Sequence, residues 1–209
     1  MNPLDIASHG PVVPVIVIDR VEDALPLAEA LLAGGVKVLE VTLRTPAGLP
    51  AIETIARHLP EAVVGVGTVL NGDDARRASE AGARFAVSPG YTPEVGAACK
   101  ALHLPLLPGV ATSSEVMAAL ADGFSFLKLF PAEAAGGMPL LKAWASPFGA
   151  VSFCPTGGIT QATAPHYLAL PNVRCVGGSW LTPADAVRAG DWARITELAR
   201  ATQALRTGG

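Results

Sequence analysis

The sequence predicts a single-domain (β/α)8 barrel over residues 1–209, with a short N-terminal segment before the first strand. Strand-like apolar runs alternate with helical patterns eight times, which is the order of a parallel sheet with crossover helices. The strand-like runs are almost continuously apolar, as in strands that are covered on both faces. Half of the residues are hydrophobic, which is enough for one large core at this length.

The predicted elements follow one another in a regular order. The strand-like runs lie at residues 12–18, 38–43, 62–66, 85–88, 104–107, 125–131, 151–155 and 173–176. The helical patterns lie at residues 21–33, 46–58, 71–81, 92–102, 113–121, 137–145, 183–189 and 191–206. Ser113 is the expected N-cap of its helix. Glycines that are typical of helix C-caps lie within residues 34–35, 81–83 and 122–123.

An open, doubly wound parallel sheet is the alternative architecture. It would place a glycine-rich phosphate-binding turn directly after the first strand. Residues 18–20 have the sequence Ile-Asp-Arg and contain no glycine. The sequence also shows no linker, low-complexity segment or second domain. A compact barrel of the TIM type is therefore the expected fold.

Charge and hydropathy argue against several classes of partner. The net charge is −3 and the sequence pI is about 5.8, with no long basic run, so neither nucleic-acid nor anionic-membrane binding is expected. Residues 1–10 lack the basic region and apolar core of a signal peptide. The longest apolar run, residues 12–18, contains Pro14 and is too short to span a bilayer.

Cysteine and histidine usage predicts a cytoplasmic protein without a metal site. Cys99, Cys154 and Cys175 are odd in number and widely spaced, which favours free thiols in a reducing compartment. The four histidines show no ligand spacing, and no CxxC motif is present. Neither pattern is typical of a zinc site.

Lys128 lies in the middle of the apolar stretch 125–131. Because side chains alternate across a strand, Phe126, Lys128 and Phe130 are expected to share one face. Burial disfavours the charged ammonium, and a neutral amine is a nucleophile towards carbonyls. A lysine that snorkels from a strand end, or that forms a structural ion pair, is the alternative.

The end of the second strand carries three polar residues with the same alternation. Glu40, Thr42 and Arg44 are expected to point together into the barrel mouth, where the chemistry of such barrels takes place. A structural Glu–Arg pair on a solvated rim is the alternative. Thr68 follows small residues at the end of the third strand, either as a group at the site rim or as a helix N-cap.

Two glycine-rich loops follow the seventh and eighth strands. They contain Gly157-Gly158 and Gly177-Gly178-Ser179, and their exposed backbone N–H groups favour anion binding at the usual phosphate position of such barrels. The fourth and fifth strands end at residues 88–90 and 108–109. Their sequences are as typical of plain turns as of a functional site.

Taken together, six segments closely resemble the 2-keto-3-deoxy-6-phosphogluconate (KDPG) aldolase family, which also contains 4-hydroxy-2-oxoglutarate (KHG) aldolases. The segments are 40–45 (EVTLRT), 65–68 (GVGT), 88–90 (SPG), 128–133 (KLFPAE), 155–159 (PTGGI) and 177–180 (GGSW). They cover nearly the whole chain in order. The resemblance implies a class I, Schiff-base aldolase that needs no metal or other cofactor, acts on a small phosphorylated keto acid, and is usually a homotrimer.

The resemblance also implies the roles of individual residues. Lys128 is similar to the Schiff-base lysine of the family, and Glu40 to its general acid/base. Arg44 and Thr68 are similar to the groups that bind the carboxylate of the pyruvyl moiety. The distal phosphate site is expected at Gly157, Gly158, Gly178 and Ser179. The expected pocket walls are Pro89, Phe130 and Thr156.

Two other functions remain compatible with the residues alone. A phosphate-binding barrel of another reaction class, such as a sugar-phosphate isomerase, would use Glu40 as a base and Lys128 as an electrostatic group. A non-catalytic ligand-binding barrel would use neither for chemistry. Only an aldolase of this type forms a Schiff base that borohydride can trap.

Overall fold

The computed structural model of the protein describes residues 3–206 and has an α/β fold with parallel strands. The strands are β1 (Val12–Ile16), β2 (Val38–Thr42), β3 (Val63–Gly67), β4 (Ala86–Val87), β5 (Leu106–Leu107), β6 (Gly109–Val110), β7 (Phe126–Leu129), β8 (Ser152–Pro155) and β9 (Val176–Gly178). The α-helices are α1 (Pro3–Ser8), α2 (Ala24–Ala33), α3 (Gly48–His58), α4 (Gly72–Glu80), α5 (Pro93–Ala101), α6 (Ser113–Ala121), α7 (Gly137–Trp144), α8 (Ala164–Leu168), α9 (Ala184–Ala189) and α10 (Trp192–Gln203). Two short 3-10 helices lie at Val21–Asp23 and Ala204–Arg206. The predicted parallel α/β architecture is confirmed.

The strands form two sheets. The first has the order β5-β4-β3-β2-β1-β9 and the second the order β6-β7-β8. All of their strand pairs are parallel. Isolated parallel bridges join Phe153 to Val173 and Thr156 to Gly177, so β8 also approaches the segment that carries β9.

The predicted fifth strand is two strands in the structure. Only Pro108 separates β5 from β6, which begins at Gly109, whereas the predicted strand covers residues 104–107 and leaves open whether residues 108–109 form a plain turn. Proline has no N–H to donate to a ladder, whereas the Pro108 carbonyl accepts from Lys128 N at 2.8 Å. The chain therefore leaves the β4 ladder at Pro108 and pairs with β7 instead.

The alternation of side chains on the strands produces two apolar clusters. The larger cluster lies between the strands and the helices and contains Leu39 and Val41 of β2 and Leu127 and Leu129 of β7. The smaller cluster lies on the opposite face of the strands. Its members are Ile6, Val13, Val38, Val63, Phe85, Val87, Leu107, Phe126, Cys154 and Cys175. Ile6 belongs to α1, a helix that the sequence analysis treated only as a short N-terminal segment, and it is fully buried there.

Four helix ends test the predicted caps. Gly35, Gly82 and Gly123 have positive φ angles of 87°, 91° and 85°, so the predicted glycine caps are confirmed. The predicted serine cap is wrong, because the N-cap of α6 is Thr112. Its hydroxyl accepts from Glu115 N, while the Glu115 carboxylate accepts from Thr112 N, and this reciprocal capping box fixes the start one residue earlier.

Two further elements differ from the expectation. Helix α8 was not predicted, because its five residues are too few to show a helical period. Strand β9 runs over residues 176–178 and not over 173–176, so it includes both glycines assigned to a loop. No helix within residues 3–206 is long and apolar enough to cross a membrane.

Candidate active site

Strand β7 carries Lys128 on the face of the smaller apolar cluster. Phe126 belongs to that cluster, whereas Leu127 and Leu129 belong to the other, as the period of two predicts. Only 3% of Lys128 is exposed. Its neighbours in register are Gly109 of β6 and Cys154 of β8, so the lysine is held by a ladder on both sides.

Glu40 of β2 lies directly opposite Lys128. The distance between Lys128 Nζ and Glu40 Oε1 is 3.2 Å, and only 2% of Glu40 is exposed. A buried amine and carboxyl at this distance can exchange a proton directly. The carboxylate is therefore placed to take the proton that the amine must lose before it attacks a carbonyl.

Glycine on β3 makes room for this pair. A Cβ on Gly67 would lie 2.5 Å from Glu40 Oε1 and 2.8 Å from Glu40 Cγ. Gly67 is also fixed in the β2–β3 ladder, where its register partner is Thr42 and its carbonyl accepts from Leu43 N at 3.0 Å. The Glu40 side chain therefore fills the volume that any larger residue at position 67 would need.

Phe130 covers the amine on the side towards the loop that follows β7. The Lys128 Nζ atom lies 5.1 Å from the centroid of the Phe130 ring, within the range of a cation–π contact. Pro89 lies next to β6, where a Cβ on Gly109 would overlap the Pro89 carbonyl. Since Gly109 is the register partner of Lys128, two of the three expected wall residues, Phe130 and Pro89, lie close to the lysine strand.

The other two polar residues predicted to share the face of Glu40, Thr42 of β2 and Arg44 just after it, lie in different environments. Thr42 is fully buried and its hydroxyl donates to Ile16 O at 2.9 Å, so it ties β2 to β1. Arg44 is exposed and its Nε donates to Thr68 Oγ1 at 3.3 Å. Thr68 has a φ of 64°, a strained conformation for a β-branched residue. In this conformation the hydroxyl lies within hydrogen-bonding distance of the arginine.

The loop after β8 contains two consecutive glycines with positive φ angles. Gly157 and Gly158 have φ angles of 101° and 84°, which L side chains rarely adopt. The preceding Thr156 is buried, and a Cβ on Gly177 would overlap its side chain. This close approach explains why β9 continues into glycines, and it brings both predicted loops to the same edge of the strands.

A cavity of about 460 Å³ opens beside Ser179, the residue that follows β9. Val15 and Val17 line it from the face of β1 that carries Val13. Arg20 and Arg188 also line this cavity. No sequence motif pointed to these two arginines, because they lie in other segments and only the cavity, which Asp19 and Asp23 also line, shows that they approach Ser179.

Two thiols lie on the same inner face as the lysine and glutamate. Cys154 and Cys175 are both buried. A hydrogen bond with Cys154, complete burial and the nearby charges of Cys154 and Glu40 hold the pKa of Cys175 well above its ordinary range. The Cys175 thiol therefore adds no charge near Lys128 and Glu40.

No group of three or more His, Cys, Asp or Glu side chains in residues 3–206 is arranged to hold a metal ion. The chemistry that the described residues offer is that of a buried amine with a neighbouring carboxyl. Cationic and hydroxyl donors lie at the rim, and a glycine turn lies at the adjacent strand ends. This arrangement suits covalent attack on the carbonyl of an anionic substrate.

Comparison with known proteins identifies similar chains. The family of KDPG and KHG aldolases matches residues 5–198. The KHG/KDPG aldolase of Escherichia coli (strain K12) is 55% identical over 195 residues, which make up 93% of this chain and 92% of that protein. A crystal structure of KDPG aldolase from Legionella pneumophila, with pyruvate captured at low pH as a covalent carbinolamine intermediate, has a TM-score of 0.95 and 50% identity, and the match covers 97% of this chain and 98% of that one. The 2-keto-3-deoxy-6-phosphogluconate aldolase of Zymomonas mobilis ZM4, with 3-phosphoglycerate, has a TM-score of 0.92 and 50% identity, covering 99% of this chain and 97% of that one.

Proposed function

Since the chain belongs to the family of KDPG and KHG aldolases, we propose that it is a class I aldolase. It cleaves 2-keto-3-deoxy-6-phosphogluconate to pyruvate and glyceraldehyde 3-phosphate, and it also cleaves 4-hydroxy-2-oxoglutarate to pyruvate and glyoxylate. The single observation that carries this proposal is the buried pair of Lys128 and Glu40, whose reactive atoms are 3.2 Å apart. The covalent pyruvate adduct in the Legionella pneumophila relative supports covalent chemistry at an amine.

The first half of the reaction makes the covalent intermediate. Neutral Lys128 attacks the C2 ketone of the substrate, and the carbinolamine that forms loses water to give an iminium. Glu40 supplies and removes the protons of these steps, because its carboxyl is within direct reach of the amine. The amino group of Lys128 itself converts the ketone into an electrophilic iminium, so the proposed reaction requires no cofactor.

The second half breaks the carbon–carbon bond. Glu40 removes the proton of the C4 hydroxyl, directly or through a water molecule, and the electron pair of the C3–C4 bond moves into the iminium. The products of this step are an aldehyde and an enamine on Lys128. Protonation of the enamine at C3 and addition of water to the resulting iminium release pyruvate and free lysine.

The rim residues orient the substrate. Arg44 and Thr68 form a hydrogen-bonded donor pair and are proposed to hold the carboxylate next to the ketone, since the guanidinium fork matches a planar carboxylate. Gly157, Gly158 and Ser179, with Gly178, are proposed to bind the distal phosphate. The 3-phosphoglycerate in the Zymomonas mobilis relative supports a phosphorylated ligand.

We also infer that the strands form one closed (β/α)8 barrel. Counting β5 and β6 as one strand interrupted at Pro108 gives eight strands. The bridge between Thr156 and Gly177 supports closure between β8 and β9. A homotrimer in the cytoplasm is proposed from the family resemblance and from the free cysteines, and light scattering of the purified protein would measure the subunit number.

Borohydride reduction in the presence of pyruvate tests the proposed function. The peptide that contains Lys128 should gain the mass of a reduced pyruvyl group, and a Lys128→Met variant should gain none. Labelling at Lys37, Lys100 or Lys142 instead of Lys128 would contradict the assignment. Absence of labelling in the wild type, with KDPG left intact, would favour an isomerase or a non-catalytic binding protein.

A further inference from the structure

The turn at Gly157-Gly158 rests on the segment that follows the lysine strand. Ala132 N donates to Thr156 O at 2.8 Å, and Glu133 N donates to Gly157 O at 3.1 Å. A Cβ on Gly158 would lie 2.6 Å from Glu133 Cγ, so the turn packs directly against the Glu133 side chain. The position of the turn therefore depends on where this side chain is held.

Tyr167 of α8 holds the Glu133 carboxylate. Its hydroxyl donates to Glu133 Oε1 at 2.5 Å, and its ring is fully buried. Burial and the Glu133 carboxylate together raise the pKa of Tyr167 above its ordinary value. The hydroxyl therefore stays protonated and continues to donate throughout the pH range in which enzymes are assayed.

The start of α7 closes around the same hydroxyl. Gly137 has a φ of 56°, and a Cβ at this position would lie 2.8 Å from the Tyr167 oxygen. A glycine therefore permits the approach of α7 to Tyr167. The tyrosine, the glutamate and the turn at Gly157-Gly158 therefore form one packed unit.

We propose that Tyr167 and Glu133 are positioning residues that set the turn at Gly157-Gly158 for the distal phosphate, and thereby set the preference for phosphorylated substrates. This inference rests on the proposed aldolase function and on the phosphate site assigned above. Lys128 does not depend on the pair, because the ladders with β6 and β8 fix its strand. Loss of the hydrogen bond should therefore affect substrate preference and leave Schiff-base formation intact.

A purely electrostatic role makes the opposite prediction. Glu133 carries a negative charge beside a proposed anion site, so removal of the charge alone would improve the binding of a phosphate. If the pair acts by position, the shape and the acceptor oxygen of residue 133 matter more than its charge. Glu133→Gln preserves both, whereas Glu133→Ala preserves neither.

The test compares kcat and KM for KDPG and for unphosphorylated KHG. Tyr167→Phe should raise KM for KDPG about tenfold. This is the effect expected if a displaced turn weakens one hydrogen bond to the charged phosphate. It should leave kcat/KM for KHG and borohydride trapping of pyruvate within twofold of wild type. Tyr91→Phe is the matched control, since Tyr91 is the other tyrosine of the chain and also donates to a carboxylate, that of Asp122. It should leave the ratio of the two activities unchanged.

Variants of Glu133 complete the test. Glu133→Ala should behave like Tyr167→Phe, and Glu133→Gln should restore a KM for KDPG near the wild-type value. Because Glu133 is exposed, these variants remain informative if Tyr167→Phe does not fold. Ser179→Ala, which removes a proposed phosphate donor, gives the reference for a selective loss.

Three outcomes would overturn the inference. These are an equal loss on KDPG and KHG in Tyr167→Phe, a KM for KDPG that falls in both Glu133 variants, and an unchanged ratio in both Tyr167→Phe and Glu133→Ala. Failure of the proposed function is distinguishable from all three, because wild-type protein would then show neither pyruvate trapping nor aldol cleavage of KHG.

Discussion

Replacing Gly67 by alanine should displace the proposed acid/base group without touching the lysine. The added Cβ would lie 2.5 Å from Glu40 Oε1, and ordinary contacts begin near 3.4 Å, so the carboxylate must move by about 1 Å. The backbone of residue 67 cannot easily move instead, because it is hydrogen-bonded in the β2–β3 ladder. A misplacement of about 1 Å can cost roughly 100-fold in rate, and we expect a loss of this size in kcat for KDPG.

The assay separates misplacement from unfolding. Steady-state kcat is measured for KDPG, covalent trapping of pyruvate by borohydride is measured separately, and the folded fraction is taken from urea unfolding. Overpacking alone is expected to cost about 1–3 kcal/mol of stability. Gly149→Ala is the matched control, since a Cβ there meets its nearest atom only at 3.7 Å, and it should keep wild-type activity.

One result would refute this reasoning. If folded Gly67→Ala retains kcat within about threefold of the control, the position of the Glu40 carboxylate does not limit the rate. The proton transfers would then have to pass through another group or through bulk water.

Two further predictions concern proton transfer and pH. Glu40→Gln should lower kcat by roughly 100-fold or more, with pyruvate trapping at Lys128 retained. Chelators should leave the wild type active, and a loss of activity in chelator that a divalent ion restores would reject the metal-free mechanism. Burial raises the pKa of Cys99 from 9.0 to about 11, so the free energy of unfolding should be insensitive to this thiol below pH 9 and should fall by up to about 2 kcal/mol as the pH rises towards 11. Urea unfolding below pH 9 and near pH 11 should show a smaller fall in the free energy of unfolding for Cys99→Ala than for the wild type. Equal falls in the two proteins would contradict the expected effect of burial.

The local sequence was sufficient for the faces of the strands. The alternation of Phe126 and Lys128 with Leu127 and Leu129 depends only on the period of a strand, and the two apolar clusters separate Phe126 from Leu127 and Leu129 as predicted. Glycine caps were equally predictable, because a left-handed helix terminus is a property of a few consecutive residues. The cap of α6 was predictable in the same way, because Thr112 and Glu115 have the spacing of a capping box, and the prediction of Ser113 overlooked this spacing.

The meeting of distant segments was decided by the tertiary structure. Glu40 and Lys128 are 88 residues apart in sequence. The resemblance of their motifs suggested their roles, but no local pattern predicts the distance of 3.2 Å between Lys128 Nζ and Glu40 Oε1. Tertiary packing also decided three other features. They are the division of the fifth strand at Pro108, the hydrogen bond between Tyr167 and Glu133, and the approach of Arg20 to the cavity beside Ser179. The sequence by itself determined which side chains each strand presents to each face, because that choice is local. Only packing of strands and helices against one another decided which of these side chains touch, because every such contact depends on the register and curvature of the whole sheet.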